Sequence, residues 1–274
     1  MKTSLVTVTY NRAKQLHRGI KTILNQSLLP DEIIIVDDGS SDNTKDVCVA
    51  LNIEAFHKGT EIRYIYIDYP EPRISCIPRN LGIKSAKGDV IIFAESEALH
   101  VGNTIDQLLK KMEEFPNNTI LASQVWTMGR RTWEKLSDED FLHPARIINH
   151  PYAMLVNGNM QNTKAPDSDF AITGEKNCNA GVLFACQKQW VLDIGGFDES
   201  FEGHGWDDFD LFNRLALYGK GVKKVDDIIV IHQWHRKDYP YNIYLMADEN
   251  GKKSEARVKT GEYRANIGKA WGLV

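Results

Sequence analysis

The 274-residue chain has 33 Lys+Arg against 37 Asp+Glu, a formal net charge of -4, and 42% hydrophobic residues, enough for a sizeable core but with no overall positive field to hold nucleic acid. Its four cysteines, Cys48, Cys76, Cys178 and Cys186, form no Cys-x-x-Cys pair, which argues against a structural zinc site or a disulfide framework. Lys2 to Val8 is too short and polar for a signal peptide and no long uncharged apolar run follows, so the expectation is a cytoplasmic protein whose membrane contact is at most peripheral.

Leu5 to Val8 reads as a first strand, and Asn11 to Leu24 as a helix with Leu16, Ile20, Ile23 and Leu24 at helical spacing. After Pro30, the branched aliphatics Ile33 to Val36 suit a strand covered on both faces, with a helix from near Ser41 to about Leu51. Glu61 to Ile67 alternates as a third strand, Arg79 to Ala86 is a helix stopped by Gly88, and Val90 to Ala94 is a fourth, buried strand. This order implies a parallel, doubly wound α/β sheet with right-handed crossovers. Ile105 to Phe115 then reads as a helix and Ile120 to Trp126 as a strand. Thr127 to about Asn177 has no clear periodicity, and its stretch Met128 to Ala171 is expected to be a lid or acceptor-binding insertion, or an ordinary surface excursion. Order resumes with a strand over Ala180 to Cys186, a helix around Lys188 to Ile194, the Gly195-Gly196-Phe197-Asp198 turn, and a helix over Asp208 to Leu217. A last strand, Val222 to Ile231, leads into His232-Gln233-Trp234-His235. No repeat or linker divides the chain, so a single domain is expected, with a nucleotide half over 1–100 and an acceptor-binding, catalytic half over 101–274.

Three carboxylate clusters fall at strand ends or helix starts. Asp37-Asp38 closes the Ile33 to Val36 run, where ligands bind in such sheets, and Ser40, Ser41 or Asp42 serves equally well as a helix N-cap. Glu95-Ser96-Glu97 follows a buried strand; side chains two apart on extended backbone point the same way and can share a hard cation with phosphate oxygens, or can simply favour the next helix's dipole. His232 and His235 are reasonable further ligands for manganese, or loop histidines held by hydrogen bonds. In Gly205-Trp206-Asp207-Asp208-Phe209-Asp210 the acids cap a helix, or one of them acts as a general base beside the apolar face of Trp206.

In order and spacing, Val6-Thr7-Val8-Thr9-Tyr10-Asn11-Arg12, Val36 to Asp42, Arg79-Asn80-Leu81-Gly82 and Ala86-Lys87-Gly88-Asp89 resemble the nucleotide half of the family 2 glycosyltransferases of GT-A fold. Asn179-Ala180-Gly181, Gly195 to Glu199 and Trp206 to Asp210 are similar to a galactosyltransferase-type C-terminal region. The resemblance implies a Rossmann-like, mostly parallel central sheet flanked by helices. It also implies a metal-dependent, inverting hexosyltransferase acting from a UDP-sugar on a hydroxyl of a glycan or glycoconjugate.

By the same resemblance Thr9, Tyr10, Asn11, Arg12, Asp38, Arg79, Glu95 and Ser96 would contact the nucleotide-sugar. Glu97, Glu95, His232 and His235 would hold Mn2+ or Mg2+, although the family's Asp-x-Asp is here Glu95-Ser96-Glu97. Asp208 aligns with the catalytic base, Asp207 with a residue orienting it, and Trp206, Gly205 and Asp207 with the acceptor side; Asp210 is expected as a helix-start residue. Trp126, Trp133, Tyr152, Arg130 and Arg131 are further acceptor candidates. The competing readings are a nucleotidyltransferase, which would need a Gly-rich phosphate loop that does not follow Val8, and a nucleotide-sugar-binding module without turnover, which the glutamate replacements would suit.

Overall fold

The computed structural model describes residues 1–68, 75–148, 154–157, 171–175, 181–203, 205–236 and 243–272. The first half alternates strand and helix: β1 (Thr3–Thr9), α1 (Ala13–Leu24), β2 (Glu32–Asp37), α2 (Thr44–His57), β3 (Glu61–Tyr66), α3 (Cys76–Ser85) and β4 (Val90–Ala94). These strands pair in parallel in the order β3-β2-β1-β4. The second half adds β5 (Ala98–Val101), α4 (Thr104–Glu114), β6 (Asn118–Met128), α5 (Arg130–Lys135), α6 (Asp138–Leu142), α7 (Pro144–Ile148), β7 (Met154–Asn157), β8 (Ala171–Glu175), β9 (Leu183–Gln187), α8 (Lys188–Asp193), α9 (Asp207–Leu217), β10 (Gly221–His232) and α10 (Ile243–Thr260). The sheet continues β4-β9-β6-β10-β5, with β9 antiparallel to both neighbours and β5 antiparallel to β10. The doubly wound pattern therefore holds for the first four strands, and the ten-stranded sheet as a whole is mixed.

Strand alternation explains where the core sits. Leu5, Ile33, Ile35 and Ile92 face one side, packed with α1, α2 and α4, while Val6, Ile34, Val36, Ile91 and Phe93 face the other with α3, α8 and α9. Both faces are covered, which is why β2 is buried along its whole length. Gly82 lets α3 lie close on the sheet, since a Cβ there would come within 2.5 Å of Val6 Cγ1.

Several elements differ from the sequence expectation. The helix expected from Ser41 begins at Thr44 and runs to His57: Asn11 Oδ1 accepts from the Ser41 and Asp42 amides at 2.8 and 3.3 Å, and the carboxylate of Asp42, one of the expected caps, accepts from the Thr44 amide at 3.1 Å. Thr127 to Asn177 is not irregular throughout. Its described residues include three short helices, α5 to α7; Leu136 just after α5, Phe141 of α6 and Ile147 of α7 pack with Met128 and Ile231 into a third apolar cluster. These helices have five or six residues each, too short for a 3.6-residue periodicity to register. β5 and α10 were not expected at all: β5 has four residues, and α10 has no consistent apolar stripe. Tyr152, Cys178, Asn179 and Ala180 lie outside the described residues.

Candidate active site

The register of β1 on β2 sets Thr9 beside Asp37, and the Asp38 amide donates to the Thr9 carbonyl at 2.8 Å. The two aspartates then diverge. Asp37 is buried and accepts from the Ser40 amide at 2.9 Å and from the Tyr64 hydroxyl at 2.6 Å. Burial and then the Asp37 carboxylate push the Tyr64 phenol up, so it remains a donor. Asp37 is thus a fixed part of the turn, and Asp38, Thr9 and Tyr10 stand together at the carboxyl ends of two parallel strands, with Tyr10 exposed. Asn11 takes a left-handed φ of 50°, which a short amide side chain tolerates, and carries the chain into α1.

Beyond β4 the backbone does not stay extended. Ala98 N donates to Glu95 O at 3.1 Å, closing a turn that points Glu95 and Glu97 at different histidines. Glu95 Oε2 lies 3.3 Å from His232 Nε2, and Glu97 Oε1 lies 3.9 Å from His235 Nε2. The pairing follows from register, since His232 stands opposite Ala98 in the β10–β5 ladder. Ser96, expected at the nucleotide, is buried and donates to Glu97 Oε2 at 2.7 Å. Arg12 reaches into the same cluster, its Nε 3.3 Å from Glu97 Oε1 and its Nη2 3.0 Å from His235 Nδ1.

The two imidazoles differ. Burial pulls His232 down but the hydrogen bond and charge of Glu95 outweigh it, so its pKa is raised; for His235 burial prevails and its pKa is lowered. Two carboxylates and two imidazoles are a donor set suited to manganese, and the carboxylates also suit magnesium. Among the described residues, however, no three such side chains are gathered around one point.

The second cluster lies at the start of α9. Asp207 and Asp208 occupy its first turn, behind Trp206, whose left-handed φ of 69° turns the chain into the helix. Arg79 contacts Asp207 Oδ2 directly and has Nη1 3.6 Å from Asp208 Oδ1. Arg79, expected at the nucleotide, is thus engaged by these aspartates while its guanidinium rests over Phe93 and Phe197, 5.4 and 5.3 Å from the ring centres. The Asp207 side chain is 5% exposed and that of Asp208 19%, so Asp208 is the outer carboxylate. Asp210 accepts from Arg214 Nε at 2.6 Å and is fully buried, a structural helix-start residue as expected.

A short backbone segment joins the two clusters. Val182 O accepts from the Glu95 amide at 3.0 Å, and a Cβ on the adjacent Gly181 would fall 2.0 Å from Asp208 Oδ2. Glu95 and Asp208 therefore flank neighbouring residues of one strand entry. Of the acceptor candidates, Trp126 and Trp133 pack in the third apolar cluster, Arg130 lies 5.5 Å from the Trp234 ring centre, and Arg131 is exposed.

A model described as glycosyl transferase family 2 matches residues 4–176, most of the chain. The chain belongs to that family. In this family 2 glycosyltransferase, residues 164–236 also match a model described as the N-terminal domain of galactosyltransferase. Chondroitin synthase of Escherichia coli is 26% identical over 248 residues, 84% of this chain and 34% of the relative. The poly(ribitol-phosphate) beta-N-acetylglucosaminyltransferase TarP of Staphylococcus aureus is 29% identical over 160 residues, 57% of this chain and 47% of the relative. This chain thus spans about a third to a half of these two relatives. Among solved structures, S. aureus TarS 1–349 with UDP superposes with a TM-score of 0.58 at 15% identity, covering 98% of this chain and 68% of that one. The mannosyltransferase PcManGT of Pyrobaculum calidifontis, solved with GDP-Man and Mn2+, gives 0.59 at 14% identity, covering 94% and 64%. The fold is GT-A. No helix among the described residues is long and apolar enough to cross a membrane.

Residues that support this glycosyltransferase's clusters carry little sequence signal. Gln233 is buried and gives both its amide and its Nε2 to Glu97 O at 3.1 Å, pinning the histidine segment to the turn. Gly19 lets α1 approach that turn, a Cβ there being 2.9 Å from Ser96 O. Asn250 on α10 donates to Glu202 O and Gly205 O at 2.9 and 3.1 Å, and Gly251 lies under the Trp206 ring. Only the buried amides within otherwise charged segments could have pointed to Gln233 and Asn250.

Proposed function

We propose that this family 2 glycosyltransferase is a divalent-metal-dependent, inverting enzyme that moves a hexose or N-acetylhexosamine from a UDP-sugar to a hydroxyl of a glycan or glycoconjugate. The supporting observation is the 181–182 segment, which sets the Glu95 turn and the Asp208 carboxylate on either side of neighbouring residues. On this reading the turn that carries the cation ligands and the carboxylate that takes the proton lie on either side of one strand entry. The names of the relatives agree with glycan chemistry, and the solved neighbours hold UDP in one case and GDP-Man with Mn2+ in another.

In this reading Thr9, Tyr10, Asn11 and Asp38 hold the nucleoside at the carboxyl ends of β1 and β2. Glu97 and Glu95, with His232 and His235, would hold the cation, which when bound offsets the negative charge arriving on the departing diphosphate. Asp207 keeps the Arg79 guanidinium close, and Asp208 is the more exposed of the two carboxylates. Asp208 takes the proton of the acceptor hydroxyl while that oxygen bonds to the anomeric carbon. The bond from that carbon to the diphosphate breaks on the opposite face, its electron pair leaving with UDP, so the anomeric configuration inverts. Trp206 and Gly205 border the space from which the acceptor would approach.

The test is UDP release from UDP-glucose, UDP-galactose and their N-acetylhexosamine counterparts, with manganese or magnesium and then with excess chelator. Turnover of at least one donor is expected only with the cation. Undiminished turnover in chelator would remove the metal from this reading, and a product of retained anomeric configuration would remove Asp208 as base.

A further inference from the structure

We propose that Arg12 is a place-holding cation that competes with the divalent metal for Glu97 and His235, and that the donor nucleotide releases it. The proposal rests on the metal-dependent reading above and adds to it a coupling between two ligands. Its basis is the placement of one guanidinium within the donor set: Nε is 3.3 Å from Glu97 Oε1, and Nη2 is 3.0 Å from His235 Nδ1 and 2.9 Å from Arg236 O. A guanidinium stays charged at any working pH, so it leaves a carboxylate only for another anion.

The histidine contact adds a second constraint. An arginine N–H can only donate, so Nδ1 must accept and the ring proton of a neutral His235 sits on Nε2, the nitrogen facing Glu97. That tautomer has no lone pair to give a metal through Nε2. The Arg236 carbonyl, 3.0 Å from the same Nδ1, favours the opposite tautomer, which frees Nε2. Arg12 therefore occupies the carboxylate and holds the imidazole in its non-ligating form together. This accounts for a donor set of the right chemistry that is not gathered around one point.

A diphosphate is the anion whose geometry suits the guanidinium fork. Arg12 caps the start of α1, three residues beyond Thr9, whose partner across the β1–β2 register is Asp37, so it grows from the same strand ends that the reading above gives to the nucleotide. Nucleotide binding would release Glu97 and His235 to the cation. By reciprocity the cation would tighten nucleotide binding by the same factor.

The experiment is a manganese titration followed by the loss of the free-ion electron paramagnetic resonance signal, with and without UDP, on the full chain and on Arg12→Gln. In the unaltered protein UDP should tighten manganese binding by roughly 5–150-fold. In Arg12→Gln, manganese alone should bind several-fold more tightly and the UDP effect should be smaller than in the unaltered protein, keeping only the part that comes from the diphosphate itself. Manganese binding to Arg12→Gln without UDP that is unchanged or weaker overturns the proposal while leaving the metal reading intact. No manganese binding to either protein even with UDP overturns both. If Arg12→Gln melts at a much lower temperature, Arg12→Lys serves instead. An ammonium lacks the planar fork and holds Glu97 and His235 less firmly than the guanidinium, so metal-alone affinity should still rise, by less than in Arg12→Gln, and an unchanged value there also overturns the proposal.

Discussion

Arg79 and Arg12 offer a comparison within one site. Each side chain is 10% exposed, and each pairs with a carboxylate, Glu97 for Arg12 and Asp207 for Arg79. Their surroundings differ. Arg79 grows from α3, lies over Phe93 and Phe197, and is fixed further by its neighbour Asn80, which exchanges hydrogen bonds with the Phe197 backbone at 2.8 and 2.9 Å. Arg12 grows from a turn, and its contacts include backbone carbonyls and a histidine. Equal burial thus conceals a built-in cation and an exchangeable one: what surrounds a charge, and how many alternative partners it has, decides whether it can move.

The largest effect expected from this contrast falls on the carboxylate beside the fixed arginine. Asp208→Asn should lower transfer by about 10²–10⁴-fold, the range for a positioned general base, while UDP and manganese still raise the melting temperature. Gly181→Ala tests the same carboxylate without changing it. A Cβ there would fall 2.0 Å from Asp208 Oδ2, so the side chain must move, and a displacement of this kind costs turnover on the order of 10²-fold. Turnover near that of the unaltered enzyme in both variants would place the base elsewhere.

Stability should separate the two arginines next. Arg79→Met leaves Asp207, itself 4% exposed, without its cation, and removing one partner of a buried pair costs about 3–5 kcal/mol. Arg12→Met should cost less, because Ser96 still donates to Glu97 and Gln233 still pins its carbonyl. Denaturant unfolding of the two variants checks this. Equal losses would mean that Arg12 is as much a part of the scaffold as Arg79.

Local sequence grammar located both carboxylate clusters and missed the difference between them. Ile33 to Val36, Val90 to Ala94 and the Asp207 helix start were readable because apolar runs and acidic first turns are short-range signals. The direction of Glu95 and Glu97 was not readable. An extended backbone was expected, and a four-residue turn sends them to different histidines through a ladder formed more than a hundred residues away. The resemblance alone assigns Arg79 to the nucleotide, and its pairing with Asp207 forms only in the folded sheet. Ser40, Ser41 and Asp42 read as helix caps, yet Asn11 claims the Ser41 and Asp42 amides from across the β1–β2 junction. Signals within one element were legible, and choices among long-range partners were not.

The smallest effect concerns His100 on β5, three residues beyond Glu97, which like Arg79 is held by fixed partners. Its amide donates to Thr22 Oγ1 at 3.0 Å, Nδ1 lies 2.8 Å from Thr104 Oγ1, and Nε2 has no hydrogen-bond partner among the described residues. Burial pushes its imidazole down from 6.5 to about 4. The sign follows directly: as pH falls below 6.5 the unfolded chain takes up a proton that the folded chain refuses. Stability from this residue is therefore intact above 6.5 and lost progressively toward pH 4, by about 3 kcal/mol at 1.36 kcal/mol per unit. His100→Gln should flatten the acid limb of a stability-versus-pH curve measured by denaturant unfolding, although it lowers the plateau near neutrality. An acid limb equally steep in His100→Gln would assign the loss to other groups, and the histidines that contact Glu95 and Glu97 would then be the next to vary.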